Sequence, residues 1–260
     1  MTLPGNLVPA EQPAEPVPVR DAVTVVLLRD GAEGLEAFLL RRVTGMAFAG
    51  GMTVFPGGGV DRRDADASVA WAGPDPAWWG QVFGVDEATA RAFVCAAVRE
   101  TFEESGVLLA GPDATSVVAD TRPFAAARKA LVDRELSLAQ FLADANLVLR
   151  ADLLRPWANW VTPVGEPRRY DTRFFVAALP EGQLADGETT EASHSAWQRP
   201  SDAIADAREG RHMLMPPTMR TLDEVGALGS VSAVMAEERS IDKIIPKLVR
   251  DGDVVRVVLQ

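Results

Sequence analysis

This chain is poor in several things, and each absence narrows what it does. One cysteine, Cys95, in 260 residues leaves no disulfide within the chain and fits a reducing compartment. Cys95 sits in an apolar stretch and reads as a small buried residue. No apolar run approaches the ~18 residues of a membrane span, so no membrane partner is expected. There are only two histidines, and a lone histidine such as His194 is more often a hydrogen-bonded structural group than a base. Positive charge is scarce too. A net charge of −11 argues against a general nucleic-acid binder. Any anionic ligand would have to find its counter-charge locally. The first twenty residues lack the basic start and apolar core of a secretory signal. The chain ends Val258-Leu259-Gln260, without a peroxisomal address of the S-K-L type, so a cytoplasmic location is expected. No internal repeat is evident. What remains, 47% hydrophobic and 24% charged residues, is ordinary for a soluble globular protein.

Against that background nine residues stand out: Arg99-Glu100-Thr101-Phe102-Glu103-Glu104-Ser105-Gly106-Val107. The three glutamates fall at i, i+3 and i+4, the neighbour spacings of a helix face. A helix opening at Asp86, a good N-cap, would carry them opposite an apolar stripe of Val94, Val98 and Phe102. Gly106 would end it in a left-handed backbone. Like charges at this spacing repel, and a hard divalent cation, Mg²⁺ or Mn²⁺, between Glu100, Glu103 and Glu104 would remove the penalty. Arg99 is placed to brace a carboxylate. Glutamate-rich helix faces are usually just solvated. The upstream stretch Phe55-Pro56-Gly57-Gly58-Gly59-Val60-Asp61 shifts the balance, since a glycine turn after an apolar strand lets backbone pass close to a ligand.

The two stretches together resemble the halves of a Nudix box, G-x5-E-x7-R-E-U-x-E-E-x-G-U with U aliphatic. Gly58 matches the first glycine. Arg99, Glu100, Glu103, Glu104, Gly106 and Val107 match the second half. Thr101 replaces an aliphatic residue, and Asp64 stands where the first glutamate would fall. Arg99 follows Gly58 by 41 positions where the pattern has 14, so about 27 residues split the box. A split box resembles the long-insert, peroxisomal-type branch of coenzyme A diphosphatases, which also carries A-x-R-E-T-F-E-E-x-G-V-L-L. Ala97 to Leu109 reproduces that run. A second block, Arg168-Arg169-Tyr170-Asp171-Thr172-Arg173-Phe174-Phe175, is similar to the same branch.

Along the chain, residues 1–20 hold five prolines and read as a disordered or extended leader before one domain, 21–260. Residues 22–29 and 35–42 read as a hairpin. Arg41 and Arg42, followed by the loop to Gly58, are either substrate contacts, as the resemblance implies, or a plain strand-loop-strand. The insert 64–86 holds three of the six tryptophans: Trp71, Trp78 and Trp79. So much indole seeks burial. A lid over the box, an oligomer contact such as a homodimer interface, and simple packing all remain open for it. Residues 121–148 read as a helical insertion, with helices over 122–134 and from Ser137 to about Leu147. Arg169, Asp171 and Arg173 alternate along a strand and face one way. Arg168, Arg169 and Arg173 are either phosphate ligands or, where Asp171 pairs with one, structural ion pairs. Glu188 and Glu191 are late acidic candidates.

The resemblance implies an α/β fold, the Nudix α/β/α sandwich with a mixed sheet, a split box and helical insertions. It implies hydrolysis of a nucleoside diphosphate linked to another moiety. Coenzyme A or acyl-coenzyme A, giving 3′,5′-ADP and (acyl-)phosphopantetheine, is the favoured substrate. ADP-ribose or a dinucleotide is the alternative within the family. A catalytically weak Nudix domain used as a ligand sensor or scaffold is the alternative outside it. Glu100, Glu103 and Arg99 carry the catalytic roles, with Glu100 or Glu191 as base. Glu100, Glu103 and Glu104 hold the metal. Arg41, Arg42, Gly58, Arg168, Arg169 and Arg173 bind substrate.

Overall fold

The computed structural model describes residues 2–4, 17–45, 49–189, 192–251 and 254–258. The β-branched run near the start forms β1 (Val19–Gly31), and a turn leads into β2 (Gly34–Arg42). Because strand side chains alternate, β1 serves two cores. Val23, Val25 and Leu27 enter one, and Val26 and Leu28 the other. Further strands are β3 (Met52–Val54), β4 (Gly57–Gly59), β5 (Leu154–Val161), β6 (Arg169–Ala178) and β7 (Ala192–Gln198). The sheet runs Met213–Leu214, β3, β2, β1, β6, β5, Lys243–Ile244, with β7 on β2 and β4 on β1. It is mixed, since β6 runs parallel to β1 and antiparallel to β5.

The sheet forks at β1. Its far end, Leu28–Gly31, pairs with β2, while Ala22–Thr24 pairs with β4. The glycine turn therefore sits inside the fork, where Val25 donates its N–H to the Pro56 carbonyl at 2.9 Å.

Helices cover both faces. On one lie α1 (Pro76–Phe83) and α2 (Glu87–Ser105). On the other, after β7, lie α5 (Pro200–Arg208), α6 (Pro216–Leu228) and α7 (Val231–Ala236). Helix α2 begins and ends as its sequence requires: Asp86 accepts the Thr89 N–H, and Gly106 closes it at φ 72°. α2 is buried almost all round, Glu104 included, so its acidic face is not simply solvated. α1 packs along it, and the glycine turn covers its acidic face.

Of the insert, 64–86, Ala65 lines the cleft described below and residues 66–86 do not, which favours packing over a lid. Trp71–Ala72 pairs with Val148–Arg150, and Asp75 caps α1 through the Trp78 N–H. Trp79 is fully buried, stacked on Phe83 and tilted on Phe175 at ring separations of 5.9 and 5.6 Å. Of the three tryptophans, Trp78 stays exposed, at 40%. The helical insertion consists of α3 (Ala125–Val132) and α4 (Leu138–Asp144). α4 stops before Leu147, because Asn146 turns left-handed at φ 52°. The insertion packs on α2 through Phe141, which stacks on Phe102 at 5.5 Å.

Little of the expected leader is described. Residues 1 and 5–16 lie outside the described residues. Thr2–Pro4, however, is a strand paired with Val254–Val258, and β1 starts at Val19. Among the described residues no helix is long and apolar enough to cross a membrane.

Trp79→Ala should therefore lower stability by about 3–5 kcal/mol, the cost of an aromatic cavity. Thermal unfolding will read this as a fall in Tm. Activity per folded molecule should stay within twofold of wild type.

Candidate active site

The site is assembled by three successive glycines meeting one helix. Gly57 donates its N–H to Glu104 Oε2 at 2.8 Å. Gly58 lies so close to Glu100 that an added Cβ would fall 2.6 Å from its carboxyl carbon. Gly59 offers its carbonyl to Arg99 Nη2 at 3.0 Å. A side chain at Gly58 would thus displace a carboxylate, which is why bare backbone stands there.

Arg99 is the hub. Its Nε and Nη2 form a two-pronged pair with Asp64 Oδ1 and Oδ2, both at 2.9 Å. Its Nη1 reaches Glu100 at 2.8 Å and Glu103 at 3.3 Å. Planar bidentate pairing is what a guanidinium does best. Burial works against the Arg99 charge, but the Asp64 hydrogen bonds and the surrounding carboxylates hold its pKa well above the ordinary value. Asp64 is itself 2% exposed and also accepts the Asp61 N–H at 2.8 Å, closing a capping box on the short turn Arg62–Ala65. Burial pushes the Glu100 carboxyl up to about 7, with Arg99 opposing and Glu103 adding to the rise. Burial raises Glu103 as well, against the pull of Arg99.

These groups open on a cleft of about 1480 Å³. Glu100, Glu103, Glu104, Arg99 and Gly57–Gly59 line one wall, and Phe55, Trp160, Tyr170 and Phe174 supply an aromatic surface. The carboxylates of Asp64, Glu100 and Glu103 face one guanidinium, and Glu104 adds a fourth carboxylate on the same helix, an excess of negative charge in a largely covered place. The donors are all oxygens, the chemistry that suits Mg²⁺ or Mn²⁺. They are not, however, gathered as a ligand set. Among the described residues no three His, Cys, Asp or Glu side chains stand ready to hold a metal ion. Glu100 and Glu103 turn to Arg99, and Glu104 to Gly57.

The substrate arginines divide. Arg42 and Arg168 line the cleft. Arg41 does not, and its Nη2 is bound to the Arg211 carbonyl at 2.6 Å. Arg169 and Arg173 do share a face, as their spacing requires, but it is the face away from Tyr170, Thr172 and Phe174 of the cleft. Arg169 is 9% exposed and donates to the Thr162 and Val17 carbonyls. Arg173, 3% exposed, pairs with Asp21 at 2.7 Å and Asp171 at 3.1 Å and lies 4.2 Å over the Phe93 ring. Arg173 thus makes the ion pair with Asp171 that the sequence allowed, and Arg169 is bonded to backbone carbonyls. Glu188 is exposed and off the cleft, while Glu191 lies outside the described residues.

Sequence reasoning noticed Asp64 only as a departure from a pattern and missed its role. The signal was present in Asp61-Arg62-Arg63-Asp64, the spacing of a capping box. It also missed Arg62 and Arg134, which line the cleft, and Arg128. Arg128 donates from Nε to the Glu103 carbonyl at 3.1 Å and pairs with Asp186 at 2.8 Å, clamping the end of α2. No local pattern marks a contact made across the fold.

Asp64→Ala would leave the Arg99 guanidinium short of its main partner inside the protein. Loss of one member of a buried pair costs about 3–5 kcal/mol, and urea unfolding should show a drop of that size. A change below about 1 kcal/mol would mean that Glu100 and Glu103 suffice to hold Arg99.

Comparison with known proteins agrees with this geometry. The NUDT19 Nudix domain model matches residues 81–225, which include both Arg99–Val107 and the β6 block. A Caenorhabditis elegans protein called putative nudix hydrolase 7 is 31% identical over 196 residues, covering 72% of this chain and 54% of the relative. Human acyl-coenzyme A diphosphatase NUDT19 is 28% identical over 240 residues, covering 77% of this chain and 63% of the relative. Across four such relatives the chain spans 54% to 65% of their length. The crystal structure of a NUDIX hydrolase from Alicyclobacillus acidocaldarius superposes with a TM-score of 0.68 at 26% identity, covering 86% of this chain and 98% of that one. The sandwich, the interrupted box and a family match over more than half the residues converge: the chain belongs to the NUDT19 Nudix domain family.

Proposed function

We propose that the chain is a divalent-cation-dependent Nudix hydrolase that cleaves the diphosphate of a nucleoside diphosphate derivative. Coenzyme A or acyl-coenzyme A is the favoured substrate class, giving 3′,5′-ADP and (acyl-)phosphopantetheine. The observation that carries this reading is that Glu100, Glu103 and Glu104 line one cleft with Arg99 and a bare glycine turn, while Asp64 pairs with Arg99 behind them. The name of the human relative, acyl-coenzyme A diphosphatase, supports the substrate class.

Glu100, Glu103 and Glu104 would hold Mg²⁺ or Mn²⁺, with Glu100 and Glu103 turning from Arg99. Such a cation, when bound, neutralises diphosphate charge and makes water more acidic. The chain's own part follows from its residues. Water attacks one phosphorus, the anhydride P–O bond breaks, and the released proton passes to a carboxylate. Glu100, on the cleft wall, is one candidate acceptor, and Glu191 is the other. Before a cation binds, Arg99 sets the rotamers of Glu100 and Glu103, and Asp64 sets Arg99. Phe55, Trp160, Tyr170 and Phe174 give the base or pantetheine arm an apolar surface.

A second reading has one observation in its favour. With Glu100 and Glu103 tied to Arg99 and no ready metal group among the described residues, a ligand-binding Nudix scaffold is the alternative. ADP-ribose or dinucleotide cleavage is the alternative within the hydrolase reading. A panel of coenzyme A, acyl-coenzyme A, ADP-ribose, NADH and diadenosine polyphosphates, with and without Mg²⁺ and with products identified, separates all three.

Glu103→Gln and Glu104→Gln should each lower kcat by orders of magnitude at saturating Mg²⁺, with circular dichroism unchanged, because glutamine keeps the size and one acceptor oxygen. Wild-type turnover in both variants would sink the metal assignment. Coenzyme A carries a 3′-phosphate that dephospho-coenzyme A lacks. Of Arg41, Arg42, Arg168, Arg169 and Arg173, Arg42 and Arg168 line the cleft and are the candidates to meet it. A charged phosphate contact contributes about 1.5–3 kcal/mol, roughly 10- to 100-fold in kcat/KM. Coenzyme A should therefore be cleaved more efficiently than dephospho-coenzyme A, and Arg168→Ala should shrink the ratio. Equal efficiency on the two, or a clear preference for ADP-ribose, would favour the alternatives.

A further inference from the structure

The helical insertion does more than pack. Its turn between α3 and α4 carries Arg134, held in a left-handed backbone at φ 61°. A non-glycine residue in that region is held there by its surroundings. The restraint is visible. Arg63 donates from Nη1 to the carbonyls of Arg134 at 3.2 Å and Leu136 at 3.4 Å. Arg63 is in turn gripped through Nε and Nη2 by Asp61, at 3.2 and 3.1 Å. The turn that completes the split box is thus tied to the insertion.

The result is a cation beside the carboxylates. Arg134 lines the same cleft as Glu100, Glu103 and Glu104, and so does Arg62 from the adjoining turn. Burial raises the Glu103 carboxyl, and Arg134 is the least of the charges that act on it, pulling it down. Yet neither Arg62 nor Arg134 makes a side-chain hydrogen bond or ion pair with any described residue. Both are exposed, and in a chain of net charge −11 two guanidinium groups without a protein partner lining one cleft are suited to an anion.

We propose that Arg134, delivered by the helical insertion, and Arg62 form an anion subsite that grips a phosphoryl group next to Glu103. The subsite deepens the diphosphatase reading and rests on it for the nature of the ligand, a diphosphate. The insertion then supplies a substrate-binding arginine, and Arg63 is the positioning residue that aims it.

The test uses methylenediphosphonate, a diphosphate that water does not cleave, titrated into the full chain with Mg²⁺ by calorimetry. Arg134→Gln and Arg62→Gln should each weaken binding about tenfold or more. Arg134→Lys should keep part of the affinity. Arg122→Gln, an exposed residue of the same insertion off the cleft, should stay within twofold. Affinity within twofold of wild type in both Arg134→Gln and Arg62→Gln overturns the proposal. So does an equal loss when Mg²⁺ is titrated alone, since the effect would then lie in the cation site. A companion assay of kcat/KM on coenzyme A keeps the two readings apart. Arginine-dependent binding by a protein that hydrolyses nothing supports the subsite and refutes the hydrolase reading. An active hydrolase indifferent to both substitutions does the reverse.

Discussion

The guanidinium of Arg99 is the constraint on which the site depends. It joins the turn after the glycines to α2 through Asp64, and it sets the directions of Glu100 and Glu103. A buried arginine with one good partner would be a burden, since desolvating a charge outweighs a single contact. Here the fork of Asp64, two further carboxylates and the Gly59 carbonyl share the charge. The same arrangement explains why the box tolerates interruption. Asp64 and Arg99 meet in space, so residues between them are free to leave and return, provided the ends come back to within one ion pair.

The composition of the intervening residues demands burial, and the fold supplies the place for it. Indole and phenylalanine rings carry more apolar area than a surface loop can leave wet. Trp79, Phe83 and Phe175 interlock, and α1 becomes part of the core behind α2. The helical insertion behaves differently. It packs Phe141 on Phe102 but also reaches the cleft, through Leu131 and Arg134, and the end of α2, through Arg128. One insertion thickens the scaffold and the other helps to shape the site.

The arginine-rich block on β6 shows how a strand sorts residues by parity. Tyr170, Thr172 and Phe174 face the cleft, so Arg169 and Arg173 cannot. Arg173 is instead spent on Asp21, Asp171 and the face of Phe93, where burial demands that every charge find company. Similar residues two positions apart share a fate, and residues one position apart do not.

By itself the sequence determined the elements whose causes are local. It set the hairpin of β1 and β2, the start of α2 at Asp86 and its end at Gly106, and the cap of α4 at Ser137, because caps and β-branched runs act over a few residues. It also pointed to Arg99, Glu100, Glu103, Glu104 and Gly58 as one group through their resemblance to an interrupted Nudix box, and all five line one cleft. Only the tertiary structure decided which way β6 turns its arginines, that Trp79 belongs to the core, that Asp64 anchors Arg99, and that Arg134 reaches the carboxylates. Each of these rests on contacts between residues far apart in the chain. Burial and pairing at that range depend on which surfaces the fold brings together, and no spacing along a single segment encodes that.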